Sequence, residues 1–225
     1  MKNVLFLILL DEDVNIDQYL KYLRILPVEQ RTQIQNYSFD VDKKLSLFSH
    51  LLVRYFACKS LNLRNSELAF AKNSYGKPYL LGDYNFHYNI SHTRNAITVG
   101  FSQAKIGVDI EKCQPIDLEI AERFFCKNEL AYILSKSEGR ESLFYEVWTK
   151  KEAYIKWVGK GLSMSLDTFD VTDAKIKNSL SLIKMHDYII SVCSQRKLCD
   201  KDIVILKENQ FAQILIEFTE QLGDY

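Results

Sequence analysis

The segment Phe144–Ser163 (FYEVWTKKEAYIKWVGKGLS) constrains the fold more than any other part of the sequence. Its aromatic and aliphatic side chains recur at three- and four-residue spacing, together with Glu152 and Lys156, so they share one face of a helix. Gly159 and Gly161 offer positions of positive φ at which a helix can end. We therefore expect one amphipathic helix that presents a carboxylate and an amine. An ordinary surface ion pair would give the same spacing.

The rest of the sequence mixes short strand patterns and helix patterns without regular strand–helix–strand units, which predicts an α+β fold. The apolar run Val4–Leu10 is too short for a membrane span and is followed by acidic residues, so we expect a buried strand. Short strands separated by polar turns predict antiparallel hairpins in the middle of the chain. Beyond these elements we expect helices at 16–23, 41–56 and 118–158 and strands at 67–71, 86–90, 96–101, 106–111, 168–171, 180–185, 188–193 and 203–206.

A turn-like break at residues 102–104 predicts a division of the chain into two parts, residues 1–104 and residues 105–225. The extreme C-terminus could instead pack back on the first part. The architecture of two linked halves favours a monomer.

Charge and cysteine content limit the classes of function. Lysine and arginine number 29, and aspartate and glutamate also number 29, so the net charge is zero. This balance argues against a nucleic acid or an anionic membrane as partner. The five cysteines form no C-x-x-C pair, and the four histidines show no ligand spacing with them. We therefore expect a reduced, cytoplasmic protein without a zinc site.

Two carboxylates lie two residues apart on a predicted strand. Asp109 and Glu111 point to the same side of that strand, while Val108 and Ile110 face the core. Like charges side by side are unfavourable unless a cation lies between them. Mg²⁺ is a natural candidate because it takes carboxylate oxygens and keeps water and substrate phosphate as further ligands. The alternative is an exposed acidic strand face that a lysine neutralises.

Polar residues also end an earlier predicted strand. The segment Asn89–Thr93 combines side-chain and backbone donors that could hold an anion. Its His92 could equally make only a local hydrogen bond in a turn. Lys77 lies between Gly76 and Pro78 on a stiff turn that could aim a cation, although a solvated lysine is the ordinary outcome there.

The order of these elements is more specific than any one of them. The motifs GKP, NISH, GVDIE and W-x-x-KE-x-x-x-K-x-x-GKGLS follow one another along the chain. In this order and spacing the sequence resembles the Sfp-type 4′-phosphopantetheinyl transferases. The resemblance extends from about Leu26 to Val171.

The resemblance implies a fold, a reaction and partners. It implies two α+β subdomains related by a pseudo-twofold axis, each a small antiparallel sheet packed with helices, with the active site in the cleft between them. The reaction would transfer phosphopantetheine from coenzyme A to a serine hydroxyl of an apo acyl or peptidyl carrier protein and release 3′,5′-ADP. Magnesium would be the metal cofactor. The first subdomain would lie on the adenosine side, and the second would carry the metal site.

The resemblance also implies roles for individual residues. Glu152 and Lys156 would be the catalytic pair. The expected magnesium ligands are Asp109, Glu111 and Glu152. The residues expected to contact coenzyme A are Lys77, Ser91 and His92 near its adenosine and phosphate end, and Lys151 and Lys156 near its pyrophosphate.

This sequence departs from the family pattern where coenzyme A carries its 3′-phosphate. Family members often have basic residues where this chain has Gln30 and Gln33, and a family arginine aligns near Leu45. The nearest cations are Lys43 and Lys44, which we expect to contact that phosphate.

Two other functions fit the same residues. One is a magnesium-dependent phosphohydrolase or nuclease that uses the three carboxylates, although a nuclease would normally carry a basic excess. The other is a non-catalytic coenzyme A-binding module. Retention of all three carboxylates and of Lys156 argues against the second alternative.

Overall fold

A computed structural model describes residues 3–12 and 15–222 of the chain. The strands are β1 (Val4–Leu9), β2 (Phe70–Lys72), β3 (Pro78–Leu80), β4 (His87–Thr93), β5 (Ala96–Ser102), β6 (Ile106–Lys112), β7 (Leu180–Met185), β8 (Tyr188–Ser194) and β9 (Ile203–Lys207). The helices are α1 (Val28–Gln35), α2 (Asp40–Leu61), α3 (Glu119–Phe124), α4 (Lys127–Leu134), α5 (Arg140–Val158), α6 (Ala174–Lys177) and α7 (Glu208–Leu222). The expected α+β class is confirmed. No helix in the described ranges is both long and apolar enough to cross a membrane.

The first sheet has the strand order β4-β5-β1-β9, and α2 packs against it. Its core is rich in aromatic rings because apolar residues of the strands face the apolar stripe of the helix. Phe56 of α2, for example, stacks on Phe101 of β5 with ring centroids 4.1 Å apart.

The last strand and helix of the described chain belong to this first sheet. β9 pairs in parallel with β1, and Leu5 lies opposite Ile203. Phe211 and Leu215 of α7 are fully buried in the first core. The second half of the chain is therefore not one continuous unit, and the expectation of purely antiparallel sheets is wrong for the β1–β9 pair.

The second sheet has the antiparallel order β6-β8-β7 and is covered by α5. Gly107 permits this close packing, because a Cβ atom there would lie 2.1 Å from the carbonyl oxygen of Ala153 and 2.4 Å from the amide nitrogen of Trp157. Helix α5 ends where the sequence predicts, at Gly159 with φ of 80°.

The strand predicted at residues 168–171 is absent from the described structure, where a short 3-10 helix (Leu166–Thr168) leads into irregular chain. Buried side chains take the place of a strand partner. The Phe169 carbonyl accepts a hydrogen bond from Lys151 at 2.6 Å, and the Val171 amide donates to Glu129 at 2.8 Å. These contacts satisfy the backbone and leave the apolar side chains of both residues buried in the second core.

The two sheets meet where β4 lies beside β6. The Asn89 side chain accepts a hydrogen bond from the amide of Val108 at 2.8 Å, so it joins the two strands. Asn73, in the turn between β2 and β3, donates to the carbonyl of Gly159 at 3.1 Å. These contacts bring the end of β4 next to the acidic strand β6 and the helix α5.

Candidate active site

Three side chains meet in the cleft between the two sheets. Ser91 of β4 donates to Oδ1 of Asp109 at 2.8 Å, and Nζ of Lys156 lies 2.6 Å from the same oxygen. Lys156 also donates to Ser91 Oγ at 3.0 Å. Each residue comes from a different element, so the packing of β4, β6 and α5 creates the triangle.

The second oxygen of Asp109 differs from the first in its surroundings. Asp109 is only 4 % exposed, and its Oδ2 is buried without a hydrogen bond from any described residue. A buried carboxylate oxygen without a donor is costly, because it has lost water and gained nothing in return. A cation or a protonated ligand group would satisfy this atom.

The other two carboxylates hold their protons unusually tightly. Burial raises the pKa of Glu111 to about 7, with the charge of Asp109 as the second cause. Lys156 and a hydrogen bond from Trp148 oppose that rise. Burial also raises the pKa of Glu152, and Asp109 again contributes. Such mutual destabilisation of neighbouring carboxylates is what a bound cation would relieve.

The donor set suits magnesium, but it is not a closed cage. Among the described residues, no three acidic, histidine or cysteine side chains converge closely enough to form a metal-binding group. Asp109 nevertheless raises the pKa of both Glu111 and Glu152, and one oxygen of Asp109 has no hydrogen bond from the residues that the structure describes. Mg²⁺ commonly binds through a few carboxylates and completes its shell with water and phosphate, so an open acidic face fits it.

His92 lies on the other face of β4 from Ser91, where it lines a cavity of about 200 Å³. Burial lowers the pKa of His92 and Lys156 lowers it further, so its imidazole is neutral at pH 7. Burial also lowers the pKa of His50 in the same cavity to about 4. The residues that line this His92 cavity are Gln33, Tyr37, Asp42, Ser46, Ser49, His50, Ile90 and His92.

Lys77 holds the two halves together. Its ammonium donates to the carbonyl of Ile106 at 2.9 Å and to the carbonyl of Lys156. Burial lowers the pKa of Lys77 to about 8, with the nearby Lys105 as the second cause. The stem of Lys77 lines a second cavity, of about 220 Å³, which Trp157 also borders.

Lys151 requires a correction. Although it is next to Glu152 in sequence, its side chain is fully buried on another face of α5. Its ammonium lies 2.8 Å from Glu129 and donates to the carbonyls of Leu166 and Phe169, each at 2.6 Å. An ammonium with three buried oxygen partners is not available to a pyrophosphate, so the expected contact is wrong.

The expected cation at Lys44 also requires a correction. Lys44 is 1 % exposed and forms a 2.5 Å ion pair with Glu208 of α7. Leu45, near which the family arginine aligns, is buried in the first core. The next residue, Ser46, lines the His92 cavity. Lys43 lies at the surface and pairs with Asp40 at 2.8 Å.

The sequence arguments missed the polar wall of the His92 cavity. Ser46 and His50 are four residues apart on α2, a spacing that places both on one helix face. This spacing is the sequence signal from which a shared polar wall could have been predicted. Tyr37 follows the end of α1 and carried no periodic signal. Gln33, which the sequence marks as a departure from a basic pattern, does line the cavity, whereas Gln30 does not.

An acidic strand face with a lysine beside it, set between two α+β halves, is the kind of site at which enzymes handle phosphate groups. Models of two families match the chain. The 4′-phosphopantetheinyl transferase superfamily matches residues 105–206, and the N-terminal part of 4′-phosphopantetheinyl transferases matches residues 14–103.

Curated relatives agree with these matches. The 4′-phosphopantetheinyl transferase ffp of Bacillus subtilis is 33 % identical over 213 residues, which cover 88 % of this chain and 95 % of the relative. The 4′-phosphopantetheinyl transferase Sfp of Bacillus subtilis (strain 168) is 34 % identical over 73 % of this chain and 74 % of its own length. The 4′-phosphopantetheinyl transferase gsp of Aneurinibacillus migulanus is 40 % identical over 57 % of this chain and 54 % of its own length. The chain belongs to the 4′-phosphopantetheinyl transferase family, whose members transfer phosphopantetheine from coenzyme A to carrier proteins.

Proposed function

We propose that this protein transfers the 4′-phosphopantetheine group of coenzyme A to a serine hydroxyl of an apo carrier protein. The serine oxygen forms a bond to the phosphorus that carries pantetheine, the pyrophosphate bond to that phosphorus breaks, and 3′,5′-ADP leaves. The observation that carries the proposal is the Ser91–Asp109–Lys156 triangle in a chain of this family.

Lys156 has the charge and position for the leaving group. Its ammonium is partly exposed, with 26 % of the side chain accessible, so an incoming phosphate can reach it. Asp109 and Ser91 hold that ammonium toward the cleft. A positioned cation lowers the barrier because negative charge gathers on the departing phosphate oxygens.

Asp109, Glu111 and Glu152 would hold Mg²⁺, and the free Oδ2 of Asp109 is the atom that favours this assignment. The ion, when bound, supplies charge neutralisation on the pyrophosphate. Glu152 would also accept the proton of the carrier serine, directly or through water. These two roles compete, because metal binding lowers the basicity of a carboxylate, and we assign the metal role first.

Coenzyme A would lie across the cleft, with Ser91, His92 and Lys77 near its adenosine and phosphate end. Because His92 and His50 are neutral, the His92 cavity offers hydrogen bonds but little positive charge. Lys43 remains the candidate cation for the 3′-phosphate, with Lys44 excluded by its burial. We further propose a monomer that has neither nucleic acid nor a membrane as partner. We also propose that it acts in the cytoplasm, which accords with its five free cysteines.

The proposal is tested with purified protein, coenzyme A, Mg²⁺ and a panel of apo acyl and peptidyl carrier proteins. We expect intact mass spectrometry to show a carrier that gains one phosphopantetheine group, together with release of 3′,5′-ADP. Cleavage of coenzyme A without carrier modification would identify a phosphohydrolase. Binding of coenzyme A with neither product would identify a non-catalytic module.

A further inference from the structure

A cavity of about 300 Å³ opens between the start of α1 and the middle of α2. Three arginines, Arg24, Arg31 and Arg54, line it, and we name it the arginine pocket. Asn65 and Ser66 add polar groups, and no acidic residue forms part of the wall. Three guanidinium groups around one space repel one another unless an anion lies between them.

Arg54 is the buried member of the arginine pocket. It is 4 % exposed, its Nη1 donates to Asn65 Oδ1 at 2.8 Å, and its Nε has no hydrogen-bond partner among the described residues. The ring of Phe70, 5.2 Å from the guanidinium carbon, covers one face of the group. Burial lowers the pKa of Arg54, and no carboxylate contributes to that pKa. In the part of the chain that the structure describes, a permanently charged group is thus buried without a counter-ion.

Arg31 and Arg24 place two further charges at the mouth. Arg31 donates to the carbonyls of Leu26 at 2.6 Å and Arg24 at 3.3 Å, which fixes its side chain beside the pocket. Within the described ranges, neither arginine forms an ion pair with a carboxylate. The pocket wall also includes Pro27, which precedes α1 and gives its first turn no side-chain cap. The partial positive charge at the N-terminus of α1 adds to the positive electrostatic potential of the pocket.

We propose that the arginine pocket binds an anion of the phosphate class, either inorganic phosphate or the phosphate of an ester. A guanidinium presents parallel N–H donors that match two oxygens of a phosphate, and a buried guanidinium holds that fork rigidly. The pocket has three guanidinium groups, and those of Arg31 and Arg54 keep N–H donors that their protein contacts leave over. Its wall also includes a serine and an uncapped helix start, and none of its lining residues is acidic.

The arginine pocket is a neighbour of the active site and not a part of it. Arg54 lies one helical turn beyond His50, which lines the His92 cavity, yet the two spaces share no lining residue. The pocket also shares none with the cavity that Lys77 borders. Phosphate binding here is therefore independent of Lys156 and of the transfer reaction.

The test is calorimetric titration of the whole protein with inorganic phosphate, at constant ionic strength kept with chloride. We expect one saturable site whose Kd rises roughly tenfold in Arg24→Gln and in Arg31→Gln, because each removes a charged donor. Arg123→Gln, an exposed arginine of α3, is the matched control and should leave the Kd unchanged. Lys156→Met should also leave it unchanged, which separates this site from the active site.

A parallel titration with 3′,5′-ADP in the Lys156→Met variant distinguishes the two sources of phosphate. Binding tighter than that of inorganic phosphate, and weakened when Arg24→Gln is added to Lys156→Met, identifies an ester ligand of the arginine pocket. Binding that is weaker than that of inorganic phosphate, or that Arg24→Gln does not change, identifies the free ion as the ligand of the pocket. Circular dichroism and the Tm without phosphate establish that each variant is folded, and Arg24→Gln is the safest because that side chain is exposed. The proposal is overturned if phosphate does not bind saturably, if both arginine variants bind it like wild type, or if Lys156→Met abolishes binding.

Discussion

At the scale of single residues, the site depends on one aspartate with two unlike oxygens. Oδ1 of Asp109 is held by Ser91 and Lys156, whereas Oδ2 has no partner among the described residues. One oxygen therefore positions the lysine, and the other is free for a ligand. An isosteric amide would keep the shape of the side chain and remove the charge that both tasks require.

Asp109→Asn should lower the rate of carrier modification roughly 100-fold or more, as the loss of a positioned charge at a transfer site generally does. The fold should persist, because the change removes a buried charge and keeps its volume. Rates from intact mass and the Tm measure both effects. Asp83→Asn, an exposed aspartate, is the control. Near wild-type turnover in Asp109→Asn would place the metal and the leaving-group contact elsewhere.

The raised pKa of Glu111, about 7, predicts a dependence of stability on pH. The folded state holds this proton more tightly than the unfolded chain, so the stabilisation is complete below the unfolded pKa near 4.5 and is lost as pH rises through 7. Mg²⁺ binds the ionised form, so its stabilising effect should grow over the same range. Thermal unfolding between pH 5 and 8, with and without Mg²⁺, measures this. Glu122→Gln is the control and should show the same dependence of Tm on pH as wild type. The assignment is contradicted if Glu111→Gln also shows that dependence.

At the scale of elements, two of the three lysines of α5 lie in opposite environments. Lys156 reaches into the cleft, while Lys151 is fully buried against Glu129 of α4. Five residues along a helix correspond to about 1.4 turns, so the two side chains leave α5 in different directions. The helix thereby serves the active site on one face and the second core on the other.

Lys151→Met should act on stability and not on coenzyme A. Breaking a buried ion pair costs about 3–5 kcal/mol, which lowers the Tm of a domain of this size by roughly 10 °C. Lys150→Met is the matched control, because Lys150 is partly exposed and lies 3.5 Å from its carboxylate partner. Differential scanning calorimetry and the KM for coenzyme A are the two readouts. A raised KM with an unchanged Tm would restore the pyrophosphate role to Lys151.

We predict that a carrier protein docks on helix α3. Phe124 is 50 % exposed, whereas Leu118 at the start of the helix packs partly against the second core. Phe124→Asp should therefore raise the KM for the carrier roughly fivefold and leave the KM for coenzyme A unchanged, because an exposed aromatic anchor contributes to binding and not to folding. The exposed charge change Glu122→Lys is a control for electrostatic effects. Equal losses for both substrates would indicate a general defect.

The sequence predicts elements better than it predicts the faces of elements. The hairpin strands and the glycine end of α5 follow from local patterns. The ion pair between Asp109 and Lys156 was not predicted, because it depends on the packing of α5 against β6. Lys151 could not be assigned in this way, because its direction depends on Glu129, which is far away in sequence. The missing strand at residues 168–171 has the same cause, since buried side chains satisfied its backbone.

At the scale of the whole molecule, one glutamate ties distant parts of the chain together. Glu208, the first residue of α7, accepts hydrogen bonds from Tyr19 at 2.9 Å and from the amide of Asp11 at 2.8 Å, and it pairs with Lys44. The 3-10 helix at Asp17–Ile25, helix α2 and helix α7 thus share one buried carboxylate. Local sequence patterns contain no information about such a contact.

Glu208→Ala should lower the free energy of unfolding by about 3–5 kcal/mol, because it leaves the Lys44 ammonium buried and unpaired. Urea unfolding measures the loss, and Glu217→Ala, on the exposed face of α7, is the control. Affinity for coenzyme A, measured on the folded protein, should not change. A selective gain of coenzyme A affinity in Glu208→Ala would mean that the Lys44 ammonium, freed from Glu208, does serve the 3′-phosphate.

The parallel pairing of β1 with β9 has a consequence for synthesis of the protein. On the ribosome, Leu5 emerges long before its partner Ile203, so β1 waits with one open edge while nearly the whole chain is made. Pairing between such remote segments slows folding, and an open apolar edge invites pairing with other nascent chains. The first sheet can be completed only after β9 has been made, so one edge of β1 stays open to pairing with other nascent chains until then.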